Sequence, residues 1–269
     1  MSGTFYNCTS LENASIISNN EVNMRSTFVG CTNLKNLYIN VYSINNSYGN
    51  MFGDIYCNSL TNMTLITENS IDTMNLFTYK YNLVNATLKS NSITNLSYAF
   101  YHDYMLSNIE LNCPNVTNMA YTFGGCSNLV NTPVIPNSVT NMYETFNGCV
   151  KLINAPEIPN GVTDMRSSFQ SCSNLVNAPI IPNSVNSICK LSYPSIGLFQ
   201  NCVNLTGDIF IYSENITNAQ CCFDGTSLQK NVYIPFTYSN GINTATYNTF
   251  KQYYGSGQNG VTLMDINQL

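Results

Sequence analysis

Tryptophan is absent from the 269 residues, histidine occurs once, and charged residues make up only 9%. Each shortage removes a class of function. With one imidazole, any Cys/His or Ser/His mechanism has to run through His102. Asp103 follows it directly, but neighbours in sequence rarely orient one another as a triad requires. His102 therefore reads as a turn residue. The nine Lys and Arg form no run and the formal net charge is -5, which argues against nucleic acid and anionic membrane as partners. No window approaches the roughly 18 apolar residues of a membrane span, so no membrane insertion is expected. The N-terminus shows neither the basic start nor the apolar core of a secretory signal. Zinc-type Cys-x-x-Cys or His-x-x-x-His spacing is missing, as is a glycine-rich phosphate loop. The carboxylates are scattered without a compact pair. No metal, no cofactor and no catalytic site are expected.

What is present is apolar content of 44%, enough for a core, on a surface whose polarity must come from Asn, Ser, Thr and Tyr. Residues 116–182 say nearly the same thing three times, restarting every 23 residues at Val116, Val139 and Val162. Met119/Met142/Met165, Phe123/Phe146/Phe169, Cys126/Cys149/Cys172 and Leu129/Leu152/Leu175 recur in step. Such a short unit cannot bury its own apolar face, whereas stacked copies share one core. The phenylalanine column extends both ways, through Phe5, Phe28, Phe52, Phe77 and Phe100, and through Phe199, Phe223 and Phe250. This predicts about ten coils of 23 residues, with an insertion at 186–198. Phe5, Cys8 and Leu11 already occupy repeat columns, so the chain opens in mid-repeat. That fits either a segment of a longer polypeptide or a first coil covered by another chain.

The eleven cysteines are an odd number, and seven of them precede a repeat leucine by three residues. A column of parallel Cβ vectors packs as reduced thiols, small and hydrophobic, rather than as disulfides. Cys113, Cys189, Cys221 and Cys222 lie outside that column and are the better redox candidates. Within a coil, Val-x-x-Met-x-x-x-Phe has the spacing of a short helical face, partly 3₁₀. The residues after the leucine alternate with period two, which predicts a very short parallel strand. In the central coils prolines bracket it, limiting the strand to two to four residues. Asn13, Asn36, Asn62, Asn85, Asn108, Asn131, Asn154 and Asn177 each sit two residues past the leucine. Their carboxamides are placed to bond to one another up a ladder. Nine Asn-x-Ser/Thr sequons arise from the Asn- and Thr-rich repeat itself.

The unit Val-Thr-Asn-Met-x-x-Thr-Phe-x-x-Cys-x-x-Leu-x-x-Ala-Pro-x-Ile-Pro resembles the BspA-type, treponemal-like leucine-rich repeat. The resemblance covers residues 1–235, clearest over 116–182 and most degraded around 48–80 and beyond 240. It implies an α/β fold: a curved right-handed leucine-rich-repeat solenoid, with short parallel strands on one side and short helical or 3₁₀ turns on the other. It also implies, often, bacterial surface adhesion or host-protein binding. Residues 1–235 are then the solenoid, and the tyrosine-rich 236–269 a degenerate capping segment of the same domain, ending in a strand near 261–264.

The expected role is a non-catalytic recognition module for a protein or glycan. Tyrosine supplies stiff, amphipathic contact area, and Tyr98, Tyr121 and Tyr143 lie between the Met and Phe columns, where one patch is expected. The insertion, with Lys190, Tyr193 and Ile196, is the second candidate surface, because loops that break a repeat often carry function. The alternative is a structural subunit of a larger assembly, such as a virion or tail part or a surface layer, joined to other chains through its open first coil.

Overall fold

The computed structural model describes residues 2–45, 52, 58–69, 77–190, 195–226, 229–237 and 243–269. It divides into two compact units, Met1–Leu129 and Val130–Leu269. Both are stacks of the repeat, with about nine coils in all.

In unit 1 the coil around Phe123 shows how the repeat folds. Asn118 Oδ1 accepts the Ala120 N–H at 3.0 Å, an Asx turn that starts the bend. Successive i→i−3 bonds follow, from Thr122 N to Met119 O, Gly124 N to Tyr121 O and Cys126 N to Phe123 O, at 3.0–3.1 Å. These are the 3₁₀-type bonds that the apolar spacing predicts, but they never merge into a continuous helix. Tyr121 at φ 57° and Gly125 at φ 80° are left-handed and break the run into single turns. The freed N–H groups bond to the next coil: Tyr98 N to Ala120 O, Phe100 N to Thr122 O and His102 N to Gly124 O, at 2.7–3.1 Å. A continuous helix would have used those donors internally. The turn side thus carries its own ladder between coils.

The other side of unit 1 is a parallel sheet in sequential order: β1 (Asn13–Asn23), β2 (Asn36–Asn45), β3 (Asn62–Thr67), β4 (Asn85–Ser90) and β5 (Asn108–Asn112). Asn13, Asn36, Asn62, Asn85 and Asn108 stand in one register row. Each Nδ2 donates to the preceding Oδ1 at 2.6–2.7 Å, giving an unbroken carboxamide ladder. Between sheet and turns lies the phenylalanine column. Phe5 stacks on Phe28 at 5.5 Å, Phe28 on Phe52 at 6.0 Å, Phe77 on Phe100 at 5.1 Å and Phe100 on Phe123 at 5.6 Å. Beside it the Cys31 and Cys126 thiols donate to the carbonyls of Phe5 and Phe100, one coil back, at 2.9 and 3.2 Å. The cysteine column therefore satisfies a buried carbonyl as well as filling space. All ten described cysteines are free thiols; Cys57 lies outside the described residues.

Unit 2 repeats the turn side but thins the strand side. Pro133, Pro136, Pro156, Pro159, Pro179 and Pro182 remove ladder donors, and no described strand occurs between 130 and 188. On that side single parallel bridges remain at Asn154↔Asn177 and Ile181↔Ile211, while Asn141↔Asp164 and Asp164↔Ser187 pair at the start of the turn, the position of Asn118 in unit 1. Proline's missing N–H thus shortens the strand beyond the two to four residues that its spacing alone predicts. The insertion forms an antiparallel hairpin of β6 (Cys189–Lys190) and β7 (Ile196–Gly197), with Cys189 opposite Gly197. Beyond the prolines strands return as β8 (Ile209–Phe210), β9 (Lys230–Ile234) and β10 (Val261–Asp265), in the parallel order β10-β9-β8. The helix α1 (Ala245–Tyr254) lies between β9 and β10 in sequence. Its N-cap Thr244 accepts from Tyr247 N at 2.9 Å. Unit 2 has its own phenylalanine column, with Phe146, Phe169, Phe199 and Phe223 stacked at 5.6–6.0 Å. Phe250 then meets Phe223 tilted by 57°, which ends the parallel stack. The Tyr254 hydroxyl closes the end by donating to Ala219 O and accepting from Phe223 N.

Candidate recognition surface

In the described coils the positions two residues before and two after the column phenylalanine are left-handed, Gly197 excepted. Most coils fill them with Gly, Asn or Ser, which tolerate positive φ. Unit 1 departs from this at four places: Tyr79 (φ 61°), Tyr98 (58°), His102 (60°) and Tyr121 (57°). A bulky side chain there costs roughly 1–3 kcal/mol, and such strain concentrates at functional surfaces.

These four residues form one aromatic cluster with Tyr81, Tyr101 and Tyr104. Tyr98 stacks on Tyr121 at 4.5 Å, Tyr79 on His102 at 5.6 Å and Tyr81 on Tyr104 at 5.4 Å, all within 12° of parallel. Tyr101 stands nearly perpendicular to both Tyr98 and Tyr121, at 5.4 and 5.8 Å. Tyr79, Tyr81 and Tyr104 remain 37–43% exposed, so the cluster meets solvent. It carries no charge of its own. Burial lowers the His102 pKa below the ordinary histidine value, which keeps its ring neutral at pH 7. The His102 ring also lies over Gly125: a Cβ there would come within 2.5 Å of His102 Nδ1.

Beneath the cluster, Asp103 takes the cysteine position of its coil and is fully buried. Its Oδ1 accepts the Lys80 N–H at 2.7 Å, while Oδ2 has no partner. Burial pushes its carboxyl well above the usual range, against the lowering effect of the Lys80 N–H bond and charge. Since His102 Nδ1 and Asp103 Oδ2 are both without partners, the two side chains do not form a hydrogen-bonded dyad.

Of the three tyrosines expected to form a patch, Tyr98 and Tyr121 stack as neighbours in unit 1. Tyr143 stands three residues before its phenylalanine rather than two, so Glu144 takes the left-handed position (φ 51°). Tyr143 belongs to unit 2, where the Arg166 guanidinium lies 4.7 Å and the Lys190 ammonium 5.9 Å from its ring centre. Arg166 is held by Asp164 through bonds of 2.6–3.1 Å. The Tyr143 hydroxyl, the largest influence, raises the Lys190 pKa, and Glu144 adds to it. Ile196 is half-buried opposite Lys190 in the hairpin. Tyr193 lies outside the described residues. Sequence reading missed Tyr79, Tyr81, Tyr101, His102 and Tyr104 as members of the cluster. Counting from the phenylalanine instead of from the methionine pairs Tyr79 with His102 and Tyr81 with Tyr104, and shows Tyr143 to be displaced.

Elsewhere the exposed polar columns are engaged within the fold. The amides of Asn62 and Asn85 are committed to the ladder and that of Asn115 to Asn91 O, although all three belong to sequons. Unit 2 has an apolar groove of about 610 Å³ on its strand side, between Pro156, Ile158, Pro179, Ile180 and Tyr212, with Glu157 as its charged residue. No described group of three or more His, Cys, Asp or Glu is placed to hold a metal ion. No described helix is long and apolar enough to cross a membrane.

Parallel coils, a phenylalanine column and an asparagine ladder define a leucine-rich-repeat protein. The family described as "BspA type Leucine rich repeat region" matches the chain in six copies, over residues 1–129, 97–228 and 130–255. The chain belongs to that family. It is similar to the solved leucine-rich repeat protein of T. pallidum, with 20% identity over 61% of this chain and 71% of that one (TM-score 0.42). A Bacteroides ovatus leucine-rich repeat protein is 16% identical over 68% of this chain, which spans 53% of that structure (TM-score 0.47). A leucine-rich cell surface protein of Faecalibacterium prausnitzii is 17% identical, covering 90% and 78% of the two chains (TM-score 0.37). No curated protein matches the chain.

Proposed function

We propose that the chain is a non-catalytic recognition module acting in adhesion at a cell surface, and that it binds a protein or glycan through the aromatic cluster on the turn side of unit 1. The observation that carries this reading is the placement of Tyr79, Tyr98, His102 and Tyr121 at left-handed positions. A fold indifferent to those side chains would relax toward Gly, Asn or Ser there, as most of the other described coils do, Glu144 and Cys221 excepted. The family commonly mediates binding or adhesion, and its repeat holds side chains in register across coils. Catalysis finds no support in an isolated His102.

The test is a panel of immobilised glycans and extracellular-matrix proteins probed with the wild-type chain and with a Tyr79→Ala/Tyr98→Ala/Tyr104→Ala variant. Loss of about tenfold or more in affinity, near the level that marks a hot spot, supports the site. Unchanged binding by a folded variant removes the cluster from the account.

A further inference from the structure

We infer that Cys189 and Cys222 are an oxidisable pair that joins the inserted hairpin covalently to the following coil. The geometry begins with Gly197. It lies opposite Cys189 in the antiparallel hairpin β6–β7. A Cβ built on Gly197 would fall 2.4 Å from the Cys222 Cα and 2.4 Å from the Cys221 carbonyl oxygen, so only glycine fits against that peptide. Side chains directly opposite in an antiparallel pair project to the same face. The Cys189 side chain therefore points where the missing Gly197 side chain would, onto Cys222. Cys222 is accordingly the largest of the influences that raise the Cys189 pKa. Phe199 N also donates to Cys222 O at 3.0 Å, which fixes the end of the hairpin on that coil.

Neither thiol serves the repeat. Column cysteines donate to a phenylalanine carbonyl one coil back, as Cys202 does to Phe169 O at 2.9 Å. Cys189 and Cys222 stand off that column, and both are free and buried, with Cys189 the outer at 5% exposure. Cys221, half-buried and adjacent in sequence, gives the site a third thiol. The neighbouring Cys222 thiol and burial hold the Cys189 thiol above the ordinary thiol range, so Cys189 stays a protonated thiol until alkaline pH or an oxidant draws it into reaction.

The oxidant class is a small-molecule disulfide. The Cys189 thiol gives up its proton and its sulfur attacks one sulfur of the oxidant, breaking that S–S bond and releasing one small thiolate. The Cys222 sulfur, its proton lost to solvent, then attacks the Cys189 sulfur of the mixed disulfide and expels the second small thiolate. Two protein thiols are oxidised, one disulfide is reduced to two thiols, and the two protons balance the two thiolates. The product ties β6, and with it Lys190 above the Tyr143 ring, to the coil of Phe223.

The experiment treats the intact folded chain with excess oxidised glutathione at mildly alkaline pH. It then unfolds the chain in the presence of an alkylating agent and maps the peptides. The expected result is the loss of two alkylatable thiols per chain and one cross-linked peptide pair containing Cys189 and Cys222. Cys189→Ala, and separately Cys222→Ser, should abolish that pair, whereas Cys113→Ser should leave it intact. Full alkylation of both residues in folded wild type overturns the inference. So does a cross-link confined to Cys221–Cys222 or formed between chains. Because Cys189→Ala truncates the less buried thiol, it keeps the test readable if Cys222→Ser fails to fold.

Discussion

Asp103 offers the sharpest test of how the repeat core works, because it stands where Cys126 and Cys172 place a thiol against a phenylalanine carbonyl. It is fully buried, and Oδ2 has no partner. An unsatisfied buried polar atom costs about 1–3 kcal/mol. Asp103→Cys removes that atom and supplies the column's own thiol for the Phe77 carbonyl. The loss on the other side is small. The Lys80 N–H gives up Oδ1 at 2.7 Å but still reaches Phe77 O at 3.2 Å, so no donor is stranded. Net stabilisation of about 1–2 kcal/mol at neutral pH is expected. The pH dependence checks the cause. Burial raises the folded-state pKa of Asp103 above its unfolded value. Its contribution to stability is therefore fully present below the unfolded pKa of about 3.9 and is lost as pH rises through the folded pKa. The advantage of Asp103→Cys should be small near pH 4 and largest near pH 7.5, measured as urea midpoints at unchanged slope. Asp103→Asn, which keeps an acceptor for Lys80 N–H, should move in the same direction. If both variants are less stable than wild type at neutral pH, the carboxylate is ionised and its attraction to Lys80 outweighs burial, and the reasoning fails.

Two further perturbations probe the stack. Asn62→Ala breaks the ladder on both sides, at Asn36 and at Asn85, whereas Asn13→Ala at the end of the ladder removes only the bond to Asn36. At about 0.5–1.5 kcal/mol per bond, Asn62→Ala should cost roughly twice as much by urea unfolding, and equal costs would mean that the ladder contributes nothing. Gly125→Ala puts a Cβ 2.5 Å from His102 Nδ1 at a left-handed φ of +80°, while Gly161→Ala meets nothing closer than 3.5 Å. The first should lower stability by about 1–3 kcal/mol and the second by under about 0.5, and a reversed order in thermal melts would refute the packing account.

Much of this architecture is legible in the chain because the repeat writes each core position several times. Phe28, Phe100 and Phe123 in unit 1, and Phe146, Phe169, Phe199 and Phe223 in unit 2, are buried and stacked on column neighbours of their own unit, as their spacing requires. The asparagine column likewise predicts its own ladder, since identical side chains one coil apart have only each other to meet. The cysteine column is legible as packing but not as hydrogen bonding, because the acceptor belongs to the backbone of another coil. The turn side is misleading on one point. Apolar groups at i, i+3 and i+7 suit a short helix, and nothing in that spacing announces that Tyr98, Tyr121 and Tyr79 sit at positive φ.

By itself, the sequence determined the unit, its length and its apolar columns, because burial of one face by stacking follows from periodicity alone. Tertiary structure decided the rest. Left-handed residues traded helical bonds for bonds between coils, since each N–H can be satisfied within a coil or across to its neighbour. Prolines reduced the strand side of unit 2 to single bridges by withholding donors. Folding also gathered Tyr79, Tyr81, Tyr98, Tyr101, His102, Tyr104 and Tyr121 into one cluster while setting Tyr143 against Arg166 and Lys190. Whether a side chain stands two or three residues before the phenylalanine decides whether its backbone is left-handed, as Tyr121 and Glu144 are, and only the folded coil shows that.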